Sequence, residues 1–395
     1  MKFKHPLMHN NFTNQDFVKV RELLKKKNII LTQSSQVEKF EKSWSKWLGV
    51  KYSTFVNSGS SANFITISIL KILNKNPSRN EIIVPTLTWV SDLNSVIMNG
   101  FKPVFVDINL SNLSMDINQV LKKINKKTLA VFITHAQGFN GLNDNLLNQL
   151  KKKKIHLIED VCESYGAKFK KKKLGNFGLI SNFSFYYAHH MTTIEGGMIC
   201  TNSKELDTLA KMKRGHGLLR DSQNESLIKN TKKKFRDLNS DFIFFTEGFN
   251  LRNNELSAVI GIEQLKRLTK NIKLRNDNHK LFLKNLRKDI FFTNFKLEGS
   301  SNYGFNLILK QKDKKLFKKV ISLLNSNLIE HRTGSVGGGN QLRQPYLKSF
   351  NFKNRFKSLR NTEHMHFYSL YIGNYPKLNK NKIVSLCRLL DKIKK

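Results

Sequence analysis

Apolar and polar residues alternate along Asn182–Tyr187, with Phe183, Phe185 and Tyr187 on one side and Asn182, Ser184 and Tyr186 on the other. That period of two predicts a strand. Glu195-Gly196-Gly197 then predicts a tight turn into a second short strand, Met198–Thr201, which leaves His189 and His190 on the intervening loop. A loop held between core strands is a good place for chemistry. Upstream, Phe17, Val18, Val20, Leu23 and Leu24 form one apolar stripe over Asp16–Lys27, and Phe40, Trp44, Trp47 and Leu48 form another over Glu38–Leu48; both predict helices. Strand-like runs at 50–56, 81–85, 103–108, 129–134 and 155–158 alternate with helical ones, including a helix ending near Leu73 and one around Ile117–Ile124. Strand, helix and strand in succession favour an α/β fold with a mostly parallel sheet.

From about Asn271 the pattern changes. A lysine-rich helix leads to a strand at Gly304–Leu309, another helix, and the run Leu328–Arg332. The expectation is a large domain over residues 1–270 and a smaller α/β domain over 271–395. Lys213–Lys234 is polar enough to read as a loop.

Three strand ends carry candidate chemistry. Asn57–Asn63 turns from a strand into a helix through Ser58, Gly59, Ser60 and Ser61. Small residues there let backbone N–H groups and hydroxyls converge on an anion at the positive helix end, although ordinary capping uses the same residues. Asp160 ends another strand, where ligand groups gather in parallel sheets. Trp89 follows a third, and its flat indole can stack on a planar ring or fill a core.

Composition adds two constraints. With 69 Lys and Arg against 29 Asp and Glu, the formal net charge is +40. The lysines are scattered in short runs, with no basic tail or aromatic-interleaved patch, so solvated faces are expected rather than a dedicated nucleic-acid surface. Such a field favours an anionic substrate. The three cysteines, Cys162, Cys200 and Cys387, are odd in number and far apart, against a disulfide framework. No charged-then-apolar leader or membrane-length apolar run is present, and a cytoplasmic location is expected.

Phe183-Ser184-Phe185 and the loop ending Glu195-Gly196-Gly197 resemble the active-site segment of the DegT-type nucleotide-sugar aminotransferases. The resemblance covers nearly the whole chain. It implies the aspartate-aminotransferase fold (fold type I) and pyridoxal 5'-phosphate (PLP) as cofactor. In that family a lysine carries the cofactor; here His189 stands in its place. This substitution resembles the nucleotide-sugar 3-dehydratase branch, and Tyr187-Ala188-His189-His190 most resembles the members acting on GDP-4-keto-6-deoxy-D-mannose. An imidazole cannot make the stable Schiff base that an amine makes, so the resemblance implies PLP or its pyridoxamine form held noncovalently. His189 becomes the proton-transfer residue, suited by an ordinary pKa of about 6.5.

The same resemblance assigns Gly59, Ser60 and Ser184 to the cofactor, Trp89 to stacking on its ring, Asp160 to the ring nitrogen and Glu163 to the 3-hydroxyl. Asn250, in Gly248-Phe249-Asn250-Leu251-Arg252-Asn253-Asn254-Glu255, is assigned to the partner subunit's cofactor phosphate, which implies a homodimer with shared sites. The departure at Asn253 has no evident chemical consequence. His216, Arg220 and Arg332 are candidate contacts to the nucleotide sugar. L-Glutamate is the implied amino donor, no metal is expected, and ammonia with a 3-deoxy ketosugar are the implied products. A lysine in place of His189 would imply transamination instead. Iron–sulfur chemistry, used by a related histidine-bearing branch, needs clustered thiolates that these cysteines do not supply. The competing readings are a noncatalytic relative that kept the fold, an aminotransferase-like enzyme on another sugar nucleotide, and a basic nucleic-acid binder.

Overall fold

The computed structural model describes residues 3–350 and 355–394. Two helices, α1 (Asn14–Leu24) and α2 (Ser35–Leu48), precede an alternating run: β1 (Tyr52–Val56), α3 (Gly59–Leu73), β2 (Glu81–Pro85), α4 (Val90–Met98), β3 (Lys102–Val106), α5 (Ile117–Lys123), β4 (Thr128–Thr134), α6 (Asp144–Lys152) and β5 (His156–Asp160). A minimal hairpin of β6 (Lys168–Phe169) and β7 (Lys172–Lys173) leads to β8 (Ile180–Ser184), β9 (Gly197–Thr201), α7 (Lys204–Arg214), α8 (Glu225–Lys234) and the 31-residue α9 (Glu255–Asn285). The remainder comprises β10 (Gly304–Ile308), α10 (Lys314–Ser326), β11 (His331–Thr333), α11 (Arg360–Tyr368), β12 (Ser369–Gly373) and α12 (Lys380–Asp391).

The main sheet has the order β1-β9-β8-β5-β4-β2-β3. Only β9 runs against its neighbours; the pairs β8–β5, β5–β4, β4–β2 and β2–β3 are parallel. A second, antiparallel sheet has the order β10-β12-β11 and its own apolar cluster, built around Phe282, Phe305, Leu370 and Ile372. The expected division at 270/271 falls within α9, which runs unbroken from under the main sheet towards the second. Among the described residues no helix is long and apolar enough to cross a membrane.

The α2 stripe fixes the strand that carries the active-site loop. Trp44 is fully buried and meets Phe183 and Phe185 edge-on, with ring centroids 5.1 and 4.9 Å apart, while Phe40 packs on Phe55 at 5.0 Å. Truncating such a side chain costs about 3–5 kcal/mol. Glu255, at the start of α9, accepts from the amides of Ser34, Gln36 and Val37 and so closes the N-terminus of α2. Helix, strand and loop are thereby held as one unit.

Two expectations need correction. The alternation along 182–187 does not make one strand: β8 stops at Ser184, and although Phe183 and Phe185 are buried, Tyr187 is 38% exposed. Beyond Ser184 the chain is held by its own loop, with the Phe185 amide donating to Gly196 O and the Thr193 amide to Phe185 O. Lys213–Lys234 is a loop only over residues 215–224. It closes α7 and forms α8, whose N-terminus is capped by the Asn224 side chain accepting from the Leu227 amide.

Candidate active site

The carboxyl ends of β1, β2, β4, β5 and β8 open on one cavity of about 800 Å³. Tyr303, Arg332, Tyr371 and the 335–338 turn, all from the second-sheet side, cover it.

At the end of β1, the Ser58 side chain accepts from the Ser61 amide at 3.0 Å. The amides of Gly59 and Ser60 open α3 and have no carbonyl acceptor within the helix, so the turn can cup an anion. Gly59 cannot be another residue here, because a Cβ would lie 2.5 Å from the Ser184 Cβ. Gly197 is equally constrained: its Cβ would meet Ser58 O at 2.2 Å. The turn, β8 and β9 are interlocked by two absent side chains.

Asp160, at the tip of β5, is buried. Its Oδ1 accepts from the Cys162 amide at 2.9 Å and its Oδ2 from Asn63 Nδ2 at 3.0 Å. Glu163 lies one turn on and accepts from the Gln137 amide at 2.8 Å. Burial pushes its pKa up to about 7, against the pull of the Gln137 amide and with help from the nearby Asp160 charge. Trp89 precedes α4 at the cavity edge with 56% of its surface exposed, a free face for a planar ligand.

His189 lines the cavity on the loop between β8 and β9, half-buried among Tyr165, Tyr186 and Tyr303. Its Nδ1 is buried with no hydrogen-bond partner, which leaves Nε2 as the nitrogen available to a ligand. Dense surroundings push its pKa down to about 4, partly offset by the Asp160 charge and reinforced by Arg275. The imidazole is therefore neutral near pH 7. His190, by contrast, is fully buried with Nε2 2.8 Å from Ser301 O, and packs the loop against the segment leading into β10.

Gly59, Ser60, Trp89, Asp160, Glu163, Ser184, His189 and Arg332 thus converge on one cavity. Asn250, His216 and Arg220 do not line it. Asn250 and His216 are exposed, and Arg220 lies 5.4 Å from the Phe242 ring centre. Sequence reasoning missed Asn63, Asp92, Tyr303 and Tyr371, which come from distant segments. It also gave Asn253 no role, whereas the Asn253 amide donates to Val56 O at 3.1 Å and Glu195 O at 3.0 Å, tying β1 to the histidine loop.

An amide cup, a strand-end carboxylate and an open indole face suit a flat, phosphorylated heterocycle. Comparison with known proteins agrees with that geometry. The GDP-4-keto-6-deoxy-D-mannose 3-dehydratase of Escherichia coli O55:H7 is 30% identical over 375 residues, covering 94% of this chain and 95% of that protein. A solved structure of an E. coli GDP-4-keto-6-deoxy-D-mannose-3-dehydratase with bound hydrated PLP superposes with a TM-score of 0.89, at 30% identity, over 99% of this chain and all of the other. A second structure of such an enzyme, with a trapped PLP-glutamate geminal diamine, gives a TM-score of 0.87 at 29% identity over 98% of this chain and all of the other. The fold is the aminotransferase fold anticipated from the motifs. The model of the DegT/DnrJ/EryC1/StrS aminotransferases matches residues 10–391, from before α1 to the end of α12. With that span and the strand-end site in agreement, the chain belongs to the DegT/DnrJ/EryC1/StrS aminotransferase family.

Proposed function

We propose that this protein is a PLP/pyridoxamine 5'-phosphate-dependent 3-dehydratase that removes the C3 hydroxyl of GDP-4-keto-6-deoxy-D-mannose, with L-glutamate as amino donor, in deoxysugar and O-antigen (lipopolysaccharide) biosynthesis. One observation carries the reading: in a chain with 69 lysines and arginines, no lysine lines the cavity among the described residues, and the loop between β8 and β9 presents His189 there instead. A site without an amine holds its cofactor by noncovalent contacts and can release it.

The residues fit the cofactor. The Gly59 and Ser60 amides would take its phosphate, Asp160 would hold a proton on the ring nitrogen, Trp89 would cover a ring face, and Glu163 would face the 3-hydroxyl, with Ser184 beside the phosphate turn. When bound, PLP supplies an electron sink for charge developing on carbon. His189, neutral and aimed through Nε2, takes a proton and delivers it to the C3 oxygen as that group departs as water. General acid–base transfer of this kind contributes about 10²–10⁴-fold. The balance closes with glutamate as reductant: glutamate and the 4-keto-6-deoxy sugar become 2-oxoglutarate, ammonia and the 3-deoxy ketosugar.

The proposal extends to a homodimer in which Asn250 reaches the partner's cavity. Its support is the exposed apolar surface beside Asn250, where Phe244 and Phe249 are 62% and 63% exposed. His216, Arg220 and the more central Arg332 are proposed for the nucleotide sugar, and the cytoplasm, where nucleotide sugars are made, for the location.

The test is an ammonia assay with PLP, glutamate and 4-keto-6-deoxy sugars carried on GDP, CDP, UDP or dTDP. Ammonia release with the GDP sugar, lost in His189→Asn, is expected. An aminated sugar with no ammonia would identify a transaminase and overturn the reading.

A further inference from the structure

Beneath Asp160 lies a second carboxyl group that the reaction above does not use. Asp92 is fully buried on α4. Its Oδ2 accepts from Thr88 Oγ1 at 2.5 Å and Thr134 Oγ1 at 2.7 Å, and its Oδ1 accepts from Asn63 Nδ2 at 2.7 Å. The same Asn63 nitrogen reaches Asp160 Oδ2 at 3.0 Å and Ser91 Oγ at 3.1 Å. One amide thus bridges two buried carboxyl groups from α4 and β5. Among the described residues, no lysine, arginine or histidine forms an ion pair with either.

Beside Asp160, a second charge would fall on Asp92, which is fully buried with no ion-pair partner among the described residues, so both cannot be ionised. One proton must therefore stay on the pair. The environment decides which group carries it. Asp160 faces the cavity and accepts from the Cys162 backbone amide. Asp92 sits deeper, between two hydroxyls that can both donate and accept. Burial first, and the Asp160 charge second, hold the Asp92 pKa well above the usual carboxylate range. Burial above all holds the nearby Cys162 and Tyr346 groups above their ordinary ranges, so neither supplies a counter-charge to Asp92.

We propose that Asp92 is a positioning residue: a neutral carboxylic acid that, through Asn63, forms with Asp160 a pair of single negative charge and fixes the Asp160 carboxylate in the orientation that meets the ring nitrogen of the cofactor. The inference rests on the cofactor reading above and deepens it. It explains why an asparagine, an aspartate and two threonines from three separate segments meet beneath the cavity. A neutral Asp92 is isosteric with asparagine: Asn at 92 can keep its oxygen on Asn63 and turn its nitrogen to the Thr88 and Thr134 oxygens.

The test compares wild type, Asp92→Asn and Asp92→Ala with two readouts besides activity. The first is the infrared spectrum of cofactor-free protein, taken well above the pH of about 7 at which Glu163 titrates. A protonated-carboxyl band is expected in the wild type and should vanish in Asp92→Asn; no difference between the two overturns the shared proton. The second is PLP titration followed by absorbance across pH. Asp92→Ala, which strands the Asn63 amide, should weaken PLP binding by about tenfold and move the spectral transition of bound cofactor by about one pH unit towards acid, while Asp92→Asn stays within about twofold. Equal loss in both variants would mean that a charged Asp92 is needed, and no loss in Asp92→Ala would mean that Asp160 orients itself; either overturns the proposal. Thermal unfolding of the cofactor-free variants separates loss of fold from loss of positioning. Wild-type protein that shows the band yet takes up no PLP would overturn the cofactor reading and the positioning role while leaving the shared proton standing, so the two failures are distinguishable.

Discussion

The floor and the rim of the cavity are built on opposite plans. On the floor, Gly59, Asp160, Asn63 and Asp92 come from strand ends and the helices that follow them, are buried or nearly so, and bond to one another or to backbone. At the rim, Trp89 and Tyr186 are 56% and 48% exposed, and the Arg332 side chain is 65% exposed. The floor is preorganised, so a ligand meeting it loses little freedom from the protein side; the rim must be ordered by what binds. A tightly held cofactor below and an exchanging substrate above would need this asymmetry. The two regions should therefore answer mutation differently.

The most damaging change should be Gly59→Val. Even the first added carbon falls 2.5 Å from the Ser184 Cβ, and β8 cannot retreat because the rings around Trp44 hold it. Overpacking costs about 1–3 kcal/mol, and here it would also displace the anion cup. Loss of PLP uptake together with a lowered melting temperature is expected; normal uptake would show that the floor is softer than its packing implies.

Asn253→Ala comes next. Its amide is shared by Val56 O and Glu195 O, so truncation leaves two carbonyls without this donor and frees the histidine loop from β1. A loss of about 1–3 kcal/mol is expected in urea unfolding. Turnover should fall more than cofactor affinity, since His189 moves and the phosphate turn does not.

These two variants also mark how far the sequence could be read. Strand-end chemistry was legible because it is local: the strand-like run that terminates in Glu159-Asp160 and the small residues at 58–61 announce themselves within a few positions. The Trp44 stripe was legible as a helix, though not as the clamp on β8. The floor's lower layer was not legible, because Asn63, Asp92 and Asp160 are 29 and 97 residues apart along the chain and only the sheet brings them together. Tyr187 was misread because the alternation persists after the strand ends, where loop hydrogen bonds replace the ladder. The helical part of Lys213–Lys234 was misread because polarity alone does not separate a solvated helix from a loop.

Glu163 sits where floor meets rim, and its pH dependence sharpens the comparison. A carboxyl whose folded pKa is about 7 rather than about 4.5 holds its proton in the folded state after the unfolded chain has lost it. Its contribution to stability is fully present below the unfolded value and is lost as pH rises through 7. His189 has the opposite sign: with its pKa lowered to about 4, its contribution is present above about 6.5 and is lost as pH falls towards 4. Urea midpoints of cofactor-free Glu163→Gln should therefore rise more steeply than the wild type's between about pH 5 and 7, because the falling Glu163 limb no longer offsets the rising histidine limb. An unchanged profile would mean that Glu163 is solvated like the rim rather than buried like the floor.

The smallest effect on stability should come from Arg332→Ala. The guanidinium is mostly exposed and lies 3.8 Å from Glu330, so its ion pair is worth about 0–1 kcal/mol and is screened by salt. It is also the only arginine lining a cavity that no lysine lines among the described residues, so it is the one full positive charge available there to a diphosphate. Deleting it should leave unfolding and PLP uptake unchanged while raising KM for the nucleotide sugar several-fold at low salt, with the difference shrinking as salt is added. A fall in kcat at constant KM would instead place Arg332 with the reacting atoms. The rim would then be organised before the substrate arrives, and the contrast with the floor would fail at the point where it is drawn most sharply.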